Sequence, residues 1–69
     1  MKSKIKSIMI QNGYKGTIRE LATILEISEP SVVNKLGGKE DFKLKEIRKF
    51  AEKFHLTDEQ ICEIFVREA

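Results

Sequence analysis

The sequence predicts an all-α fold in which about five short helices form one compact bundle, a single domain over residues 1–69. The first observation is that apolar residues recur three and four positions apart along several stretches, which is the spacing of an amphipathic helix. The second is a pair of capping boxes, Thr17 with Glu20 and Thr57 with Gln60, each of which marks a helix start. A chain of 69 residues buries only about 60% of its unfolded surface, so good packing or a partner is expected to supply stability.

The first helix is predicted over residues 1–12, before the stop signal of Gly13. One apolar stripe supports it, made of Ile5, Ile8 and Met9. Tyr14 directly follows the glycine, and its apolar ring is expected to pack at the edge of the core. A phosphate contact from the tyrosine hydroxyl is the alternative.

Residues 17–36 predict two further helices joined by a tight turn. The first begins after an N-cap and carries one apolar stripe, made of Ile18, Leu21, Ala22 and Leu25. The second covers residues 28–36, has Ser28 as its N-cap and ends at the two glycines that follow. Val32 and Leu36 are its core positions, so the helix is expected to be half buried. Four polar residues are predicted to face outward: Glu29, Ser31, Asn34 and Lys35.

Two more helices are predicted after an exposed loop at residues 39–41. Phe42 is expected to pack on Ile47 across the start of the fourth helix. This helix has a broad apolar face, made of Leu44, Ile47, Phe50, Ala51 and Phe54.

The fifth helix begins after Thr57 and runs to near the C-terminus. Its apolar residues cover more than one stripe: Ile61, Cys62, Ile64, Phe65 and Val66. Either this helix is wrapped deeply in the core, or its outer side is an interface. We favour the interface, a self-association surface in which Cys62 and Val66 take part and Cys62 acts as a small buried hydrophobe.

The net charge of +2 is unevenly distributed along the chain. Residues 1–49 contain 11 Lys/Arg and 6 Asp/Glu, a net +5, whereas residues 50–69 contain 2 Lys/Arg and 5 Asp/Glu, a net −3. Such a separation is typical of a protein that binds nucleic acid through a basic face and carries its acidic residues on the opposite face. The alternative is that these are ordinary solvated charges on a helical domain.

Several classes of protein are excluded by composition and motifs. No apolar run is long enough to span a membrane, and no secretory segment is evident. The single cysteine forms no internal disulfide, which fits a reducing cytoplasm. The sequence contains no catalytic constellation, no metal-ligand spacing and no phosphate-binding glycine loop, so an enzyme, a cofactor and a metal are not expected.

Residues in and after the predicted helix pair resemble the small phage repressor and Cro-type helix-turn-helix DNA-binding proteins, the lambda-repressor-like family. The resemblance is carried by Leu21 and Ala22, the turn at Ile27 and Ser28, Val32, and the run at residues 35–39. It extends over the full chain, since residues 41–47 are similar to the segment after the recognition helix in many short phage-encoded members. It implies that Ala22 is small because two helices cross closely there. The family usually has glycine at the turn position of Glu26, where a positive φ would cost about 1–2 kcal/mol. A polar residue, often glutamine, is usual where this chain has Ile18.

The resemblance implies a sequence-specific regulator of transcription that binds double-stranded DNA, occupies an operator as a homodimer and blocks polymerase. In a bacterial cell or a phage-infected host it would act in the cytoplasm. The residues predicted to contact base edges are Ser28, Glu29, Ser31, Val33 and Asn34. Those predicted to contact phosphates are Thr17, Arg19, Lys35, Lys39 and Lys43. The alternatives are that Ser28 only caps its helix and that Lys35 and Lys39 are only solvated.

A second hypothesis belongs to another class, a protein-interaction module on the same fold that binds a phage repressor as an antirepressor does. Three features favour it: the acidic Glu29 at the start of the DNA-facing helix, the weak net charge, and the surplus apolar residues between Ile61 and Val66.

Overall fold

The computed structural model describes residues 3–66, and of Val66 it describes only the backbone. These residues form five α-helices and a π-helical turn, and they contain no β-strand. The helices are α1 (Ser3–Gln11), α2 (Ile18–Leu25), α3 (Glu29–Leu36), α4 (Leu44–Phe54) and α5 (Asp58–Ile61), and the π turn Cys62–Val66 directly continues α5. The predicted all-α class is confirmed, and the described chain packs into a globule of 29 × 27 × 20 Å.

The helix starts lie where the capping residues predicted them. Thr17 Oγ1 accepts the backbone N–H of Glu20 at 3.1 Å, and the Glu20 carboxylate accepts the backbone N–H of Thr17 at 3.1 Å. Thr57 and Gln60 repeat this exchange before α5. Ser28 caps α3 by accepting the backbone N–H of Ser31 at 3.2 Å. Each cap satisfies donors that a helix start would otherwise leave unpaired.

The core lies between α1, α2 and α4 and is closed by one residue of α3 and one of the π turn. Its fully or almost fully buried apolar residues include Ile5, Met9, Leu21, Leu25, Val32, Phe50, Phe54 and Ile64. The Phe50 ring lies edge-on to the rings of Phe54 and Phe65, with centroid distances of 4.8 Å and 5.7 Å. Tyr14 extends the cluster at 5.6 Å from Phe54, so its predicted packing at the core edge is confirmed.

Two non-glycine residues end helices in the left-handed conformation. Glu26 has φ 61° at the end of α2, which is the positive φ that the resemblance implied, and His55 has φ 54° at the end of α4. The short turn at Glu26 brings α3 against α2, and α2 also packs on α4. The helix pair α2 and α3 therefore rests on the same core as α4.

One position at the start of α4 differs from the prediction. Leu44, expected in the apolar face of α4, is 64% exposed. The buried side of α4 includes Glu46, which lies two residues and about 200° further around the helix, so Leu44 lies outside that side. Phe42 lies edge-on to Phe65 with ring centroids 5.3 Å apart, and its contact with Ile47 stays a prediction.

The C-terminal part also differs from one continuous helix, because the last regular turn of α5 widens into the π turn. Ile64 is buried and Phe65 is half buried against the core, whereas Cys62 is exposed. The side chain of Val66 lies outside the described residues. Over residues 3–66, no helix has the length and apolar character needed to cross a membrane.

Candidate nucleic-acid interface

One side of α3 faces away from the rest of the molecule. Val32 and Lys35 lie on its inner side and are buried. With 100° between successive residues, the opposite side presents Glu29, Pro30, Val33 and Asn34, which we call the α3 outer face. Glu29 and Pro30 are exposed, Val33 is 54% exposed and Asn34 is half buried. Of the four residues predicted to face outward, Glu29 and Asn34 lie on this face and Ser31 lies beside it, whereas Lys35 is on the inner side.

The two serines at the start of α3 are engaged with each other. Besides accepting the backbone N–H of Ser31, the Ser28 hydroxyl donates to Ser31 Oγ at 3.0 Å. Ser28 is exposed and Ser31 is half buried. Capping therefore uses much of the hydrogen-bonding capacity of Ser28, while the hydroxyl hydrogen of Ser31 remains able to donate to a further acceptor.

Four residues predicted to contact phosphates are exposed at the borders of the α2 and α3 pair. Thr17 and Arg19 lie at the start of α2, and Lys39 and Lys43 lie in the segment at residues 37–43, which we call the α3–α4 loop. Thr17 is the N-cap of α2, and the Glu20 carboxylate accepts the backbone N–H groups of Lys15, Gly16 and Thr17, so an anionic group already occupies the positive end of the α2 dipole. The α3 outer face itself carries no positive charge, and these four exposed residues come before and after it along the chain.

Lys35 is the exception, because its predicted exposure and phosphate contact are wrong. The side chain is only 5% exposed, and its ammonium donates to the two carboxylate oxygens of Glu46 at 2.9 Å and 3.1 Å. A third, long contact of 3.5 Å reaches the carbonyl oxygen of Asp41. Lys35 occupies an inner position of α3 beside Val32, where only a paired charge is tolerated.

Glu46 is the buried partner of Lys35 and was missed by sequence reasoning. Burial raises the pKa of its carboxyl and is the largest single influence. Hydrogen bonds from Lys35 and from the backbone N–H of Lys43, together with the charge of Lys35, outweigh burial and hold that pKa below its ordinary value. The signal that could have revealed Glu46 is its position three residues after the Lys43 N-cap, where an acidic side chain reaches back to the helix start.

Pro30 is the other residue that sequence reasoning missed. It belongs to the first turn of α3 and lies near the middle of the α3 outer face beside Val33. Counting 100° steps from the buried Val32 would have placed it there. The centre of the outer face is thus apolar, and Glu29 and Asn34 supply its polar groups.

A concave region lies between α2 and the end of α4. It is an open groove lined by Tyr14, Arg19, Glu20, Thr23, Ile24, Glu26 and Lys53. The Lys53 ammonium lies 5.8 Å from the centre of the Tyr14 ring. Charges of both signs line this groove, and in the described part of the chain no three His, Cys, Asp or Glu side chains are grouped as metal ligands would be.

Comparisons with known proteins found no match to a protein-family model, to a curated protein or to a solved structure.

Proposed function

We propose that the chain is a sequence-specific transcriptional regulator that binds double-stranded DNA, with α2 and α3 as a helix-turn-helix of the lambda-repressor-like type. The observation that carries the proposal is the α3 outer face, an exposed helix side that is flanked along the chain by exposed Thr17 and Arg19 before it and by exposed Lys39 and Lys43 after it. An α-helix fits the major groove of B-DNA, which is about 12 Å wide. The flanking groups would then meet phosphates on the two sides of that groove.

Each residue of the outer face has a base-edge partner of matching chemistry. The Asn34 amide can bind adenine through one donor and one acceptor, and the Glu29 carboxylate can accept from the amino group of cytosine. Val33 and Pro30 present apolar surface to the methyl group of thymine. Ser28 and Ser31 can each make one further hydrogen bond. Ser31 is the better candidate for a base contact, because Ser28 serves mainly as a cap.

Affinity would come mainly from the flanking groups. Lys39 and Lys43 neutralise phosphates at the C-terminal end of α3, while Thr17 offers a hydroxyl and Arg19 a guanidinium at the start of α2. The domain is small and its interface is correspondingly limited, so binding as a homodimer to two half-sites about 34 Å apart would give a useful affinity. Occupying an operator in this way would repress transcription by excluding polymerase, in the manner of the phage repressors and Cro that the sequence resembles.

The wild-type protein is first used to select DNA duplexes from a random library. Its affinity for the selected duplex is then measured over a range of salt concentrations. Asn34→Ala should weaken binding to the selected duplex by about 1–3 kcal/mol and relax its preference at one base pair. Lys39→Ala should weaken binding to all duplexes alike and reduce the log–log salt slope by about one unit. Lys4→Ala, on an exposed position of α1, is the control that removes the same charge without touching a predicted contact.

Two outcomes would overturn the proposal. One is a wild-type protein that enriches no duplex and shows no salt-dependent binding. The other combines two results. Asn34→Ala weakens binding to selected and random duplexes equally, and the salt slope of Lys39→Ala equals that of Lys4→Ala.

A second candidate is a protein-interaction module that binds a phage repressor. The observation in its favour is that the α3 outer face has an apolar centre, Pro30 and Val33, beside the acidic Glu29, with no cation among its four residues. Apolar surface with an acidic border suits a basic protein surface, whereas the phosphates of DNA repel a carboxylate. Titration of the protein against a purified repressor encoded beside it, with and without operator DNA, separates the two functions, and Val33→Glu should abolish repressor binding if this surface is used.

A further inference from the structure

The α3–α4 loop is held at its start by the end of α3. The backbone carbonyl of Asn34 accepts two N–H groups from this loop, from Lys39 at 2.9 Å and from Glu40 at 3.3 Å. The next carbonyl along α3, that of Lys35, accepts the N–H of Gly38 at 3.3 Å. Gly38 has φ +87°, which a glycine adopts without strain, so the chain leaves α3 in a defined direction.

The same loop is held at its other end by a buried ion pair. Glu46 Oε1 accepts the backbone N–H of Lys43 at 2.9 Å, which fixes the last residue of the loop against the first turn of α4. The Lys35 ammonium binds that carboxylate and reaches the carbonyl oxygen of Asp41 at 3.5 Å. One buried ammonium therefore joins α3, the loop and α4.

We propose that Lys35 and Glu46 are positioning residues for DNA binding: they pre-order the α3–α4 loop so that Lys39 and Lys43 are already placed for phosphate contact, and neither of the two touches DNA. The inference rests on the proposed DNA-binding function. Loop residues that are ordered before association lose less conformational entropy when the complex forms, and this raises affinity without any new contact. If the disordered loop also fails to bring a lysine to its phosphate, the salt slope falls as well, because only lysines that reach phosphates release counterions.

The chemistry of the pair fits a positioning role better than a purely stabilising one. Replacing a buried ion pair by apolar residues of similar volume is often neutral or stabilising, so burial of these charges is weak evidence for a role in stability. An ammonium, in contrast to a methylene chain, has directed donors, and here they point at two carboxylate oxygens and one loop carbonyl. An apolar pair would fill this space without fixing the direction of the loop.

The test uses the double variant Lys35→Met with Glu46→Gln. Methionine fills much of the lysine volume, and the glutamine amide oxygen can still accept the N–H of Lys43, so the folded state is expected to survive while the ion pair is lost. The matched control is Lys49→Met with Glu26→Gln, which removes the exposed ion pair at 3.0 Å between α4 and the end of α2 and makes the same changes in charge. Both double variants keep the net charge of the protein.

Three measurements are made on both variants: helical circular dichroism, affinity for the selected duplex over a range of salt concentrations, and amide hydrogen exchange of the free protein. The Lys35→Met, Glu46→Gln variant should keep its circular dichroism and lose about tenfold in affinity at 0.1 M salt for each phosphate contact that is no longer made, with a salt slope lower by about one to two units. The amides of Lys39 and Glu40 should exchange faster. The control should match the wild type in all three measurements.

A second variant keeps the test decisive if the double variant does not fold. Glu46→Asp retains the carboxylate but shortens its reach to Lys35 by one methylene, and it should change affinity, salt slope and loop exchange in the same direction by a smaller amount. Folded variants that bind the duplex with the wild-type affinity and slope overturn the positioning role while DNA binding stands. An affinity loss with an unchanged salt slope supports pre-ordering if the amides of Lys39 and Glu40 exchange faster, because the lysines then reach the same phosphates from a less ordered loop. The same affinity loss with wild-type exchange of these amides overturns the positioning role, because the loop would be as ordered as in the wild type. A wild-type protein without salt-dependent duplex binding overturns the proposed function and this inference together.

Discussion

The Lys35 ammonium nitrogen lies 2.9 Å and 3.1 Å from the two carboxylate oxygens of Glu46. Both residues are buried, Lys35 with 5% and Glu46 with 2% of its surface exposed. Removing two charges from water is unfavourable, and their attraction in a low-dielectric environment offsets this only when both partners are present. The pair joins α3 to the first turn of α4, so its loss is expected to change the free energy of unfolding.

Removing one partner of this pair should be far more harmful than removing both. Lys35→Met alone leaves the Glu46 carboxylate buried without its counter-charge and should lower the free energy of unfolding by about 3–5 kcal/mol. Adding Glu46→Gln should recover most of that loss, because no unpaired charge then remains. Urea denaturation of the two single variants and the double variant, followed by circular dichroism at neutral pH, gives the coupling energy.

The exposed pair Lys49 and Glu26 provides the comparison, because its side chains are 36% and 71% exposed. Lys49→Met should change the free energy of unfolding by no more than about 1 kcal/mol. If Lys35→Met proved no more harmful than Lys49→Met, the buried environment assigned to Lys35 would be wrong.

Acid should destabilise the protein through Glu46. The pKa of Glu46 in the folded protein lies below its ordinary value, so at low pH the unfolded chain binds more protons than the folded one. The stabilising contribution is therefore complete above the ordinary pKa and is lost as the pH falls through the folded pKa. Urea unfolding between about pH 6 and pH 3 should show a falling free energy of unfolding, and the Lys35→Met, Glu46→Gln variant should show a shallower fall.

Glu20 should contribute to the same acid dependence. The backbone N–H of Thr17 is the main cause that holds the pKa of Glu20 below its ordinary value; burial opposes it, and the N–H groups of Lys15 and Gly16 add to the lowering. Glu20→Gln should therefore reduce part of the fall in the free energy of unfolding at low pH, independently of the Glu46 variant. A wild-type protein whose stability is constant down to pH 3 would contradict both assignments.

The helix starts could be predicted from the sequence because each depends on contacts within three residues. Thr17, Ser28 and Thr57 each accept an N–H three positions ahead, and that short range is visible in the sequence. The core positions of α1 and α2 follow for a similar reason, since the helical period alone places Met9 and Leu21 on inner faces.

The inner side of α3 could not be predicted in the same way. A lysine is almost always exposed, so residue type placed Lys35 outside, although its angle on the helix places it beside Val32. What makes the inner position possible is Glu46, 11 residues away, and no local pattern pairs the two. The exposure of Leu44 has the same origin, because turning Glu46 inward turns Leu44 outward. The DNA contacts of the α3 outer face stay predictions.

Glu26→Gly should stabilise the protein. Glu26 ends α2 with φ 61° and ψ 43°, where a side chain costs about 1–2 kcal/mol and glycine costs little. Part of that gain is offset because glycine increases the entropy of the unfolded chain, so a net gain of about 0.5–1 kcal/mol is expected. Thermal unfolding should show an increase in Tm of a few degrees.

Glu26→Gln separates strain from the ion pair that Glu26 makes with Lys49. It keeps the side chain in the left-handed conformation and loses the exposed charge contact, so Tm should stay close to the wild-type value. A glycine variant no more stable than the glutamine variant would mean that the turn stores no strain at this residue.

The C-terminal segment is expected to provide a surface for self-association. In the π turn, Ile64 and Phe65 pack on the domain's own core, whereas Cys62 is exposed, which leaves the side of Cys62 available for a second copy. If a dimer uses this side, Cys62→Glu places a charge in the contact and should shift the protein toward monomer while leaving its helical circular dichroism intact. Thr23→Glu, at an exposed position of α2, adds the same charge elsewhere and should leave the dimer unchanged. Equilibrium sedimentation from micromolar to millimolar concentration measures both, and a wild-type protein that stays monomeric with and without DNA would remove the dimer and favour binding to a repressor instead.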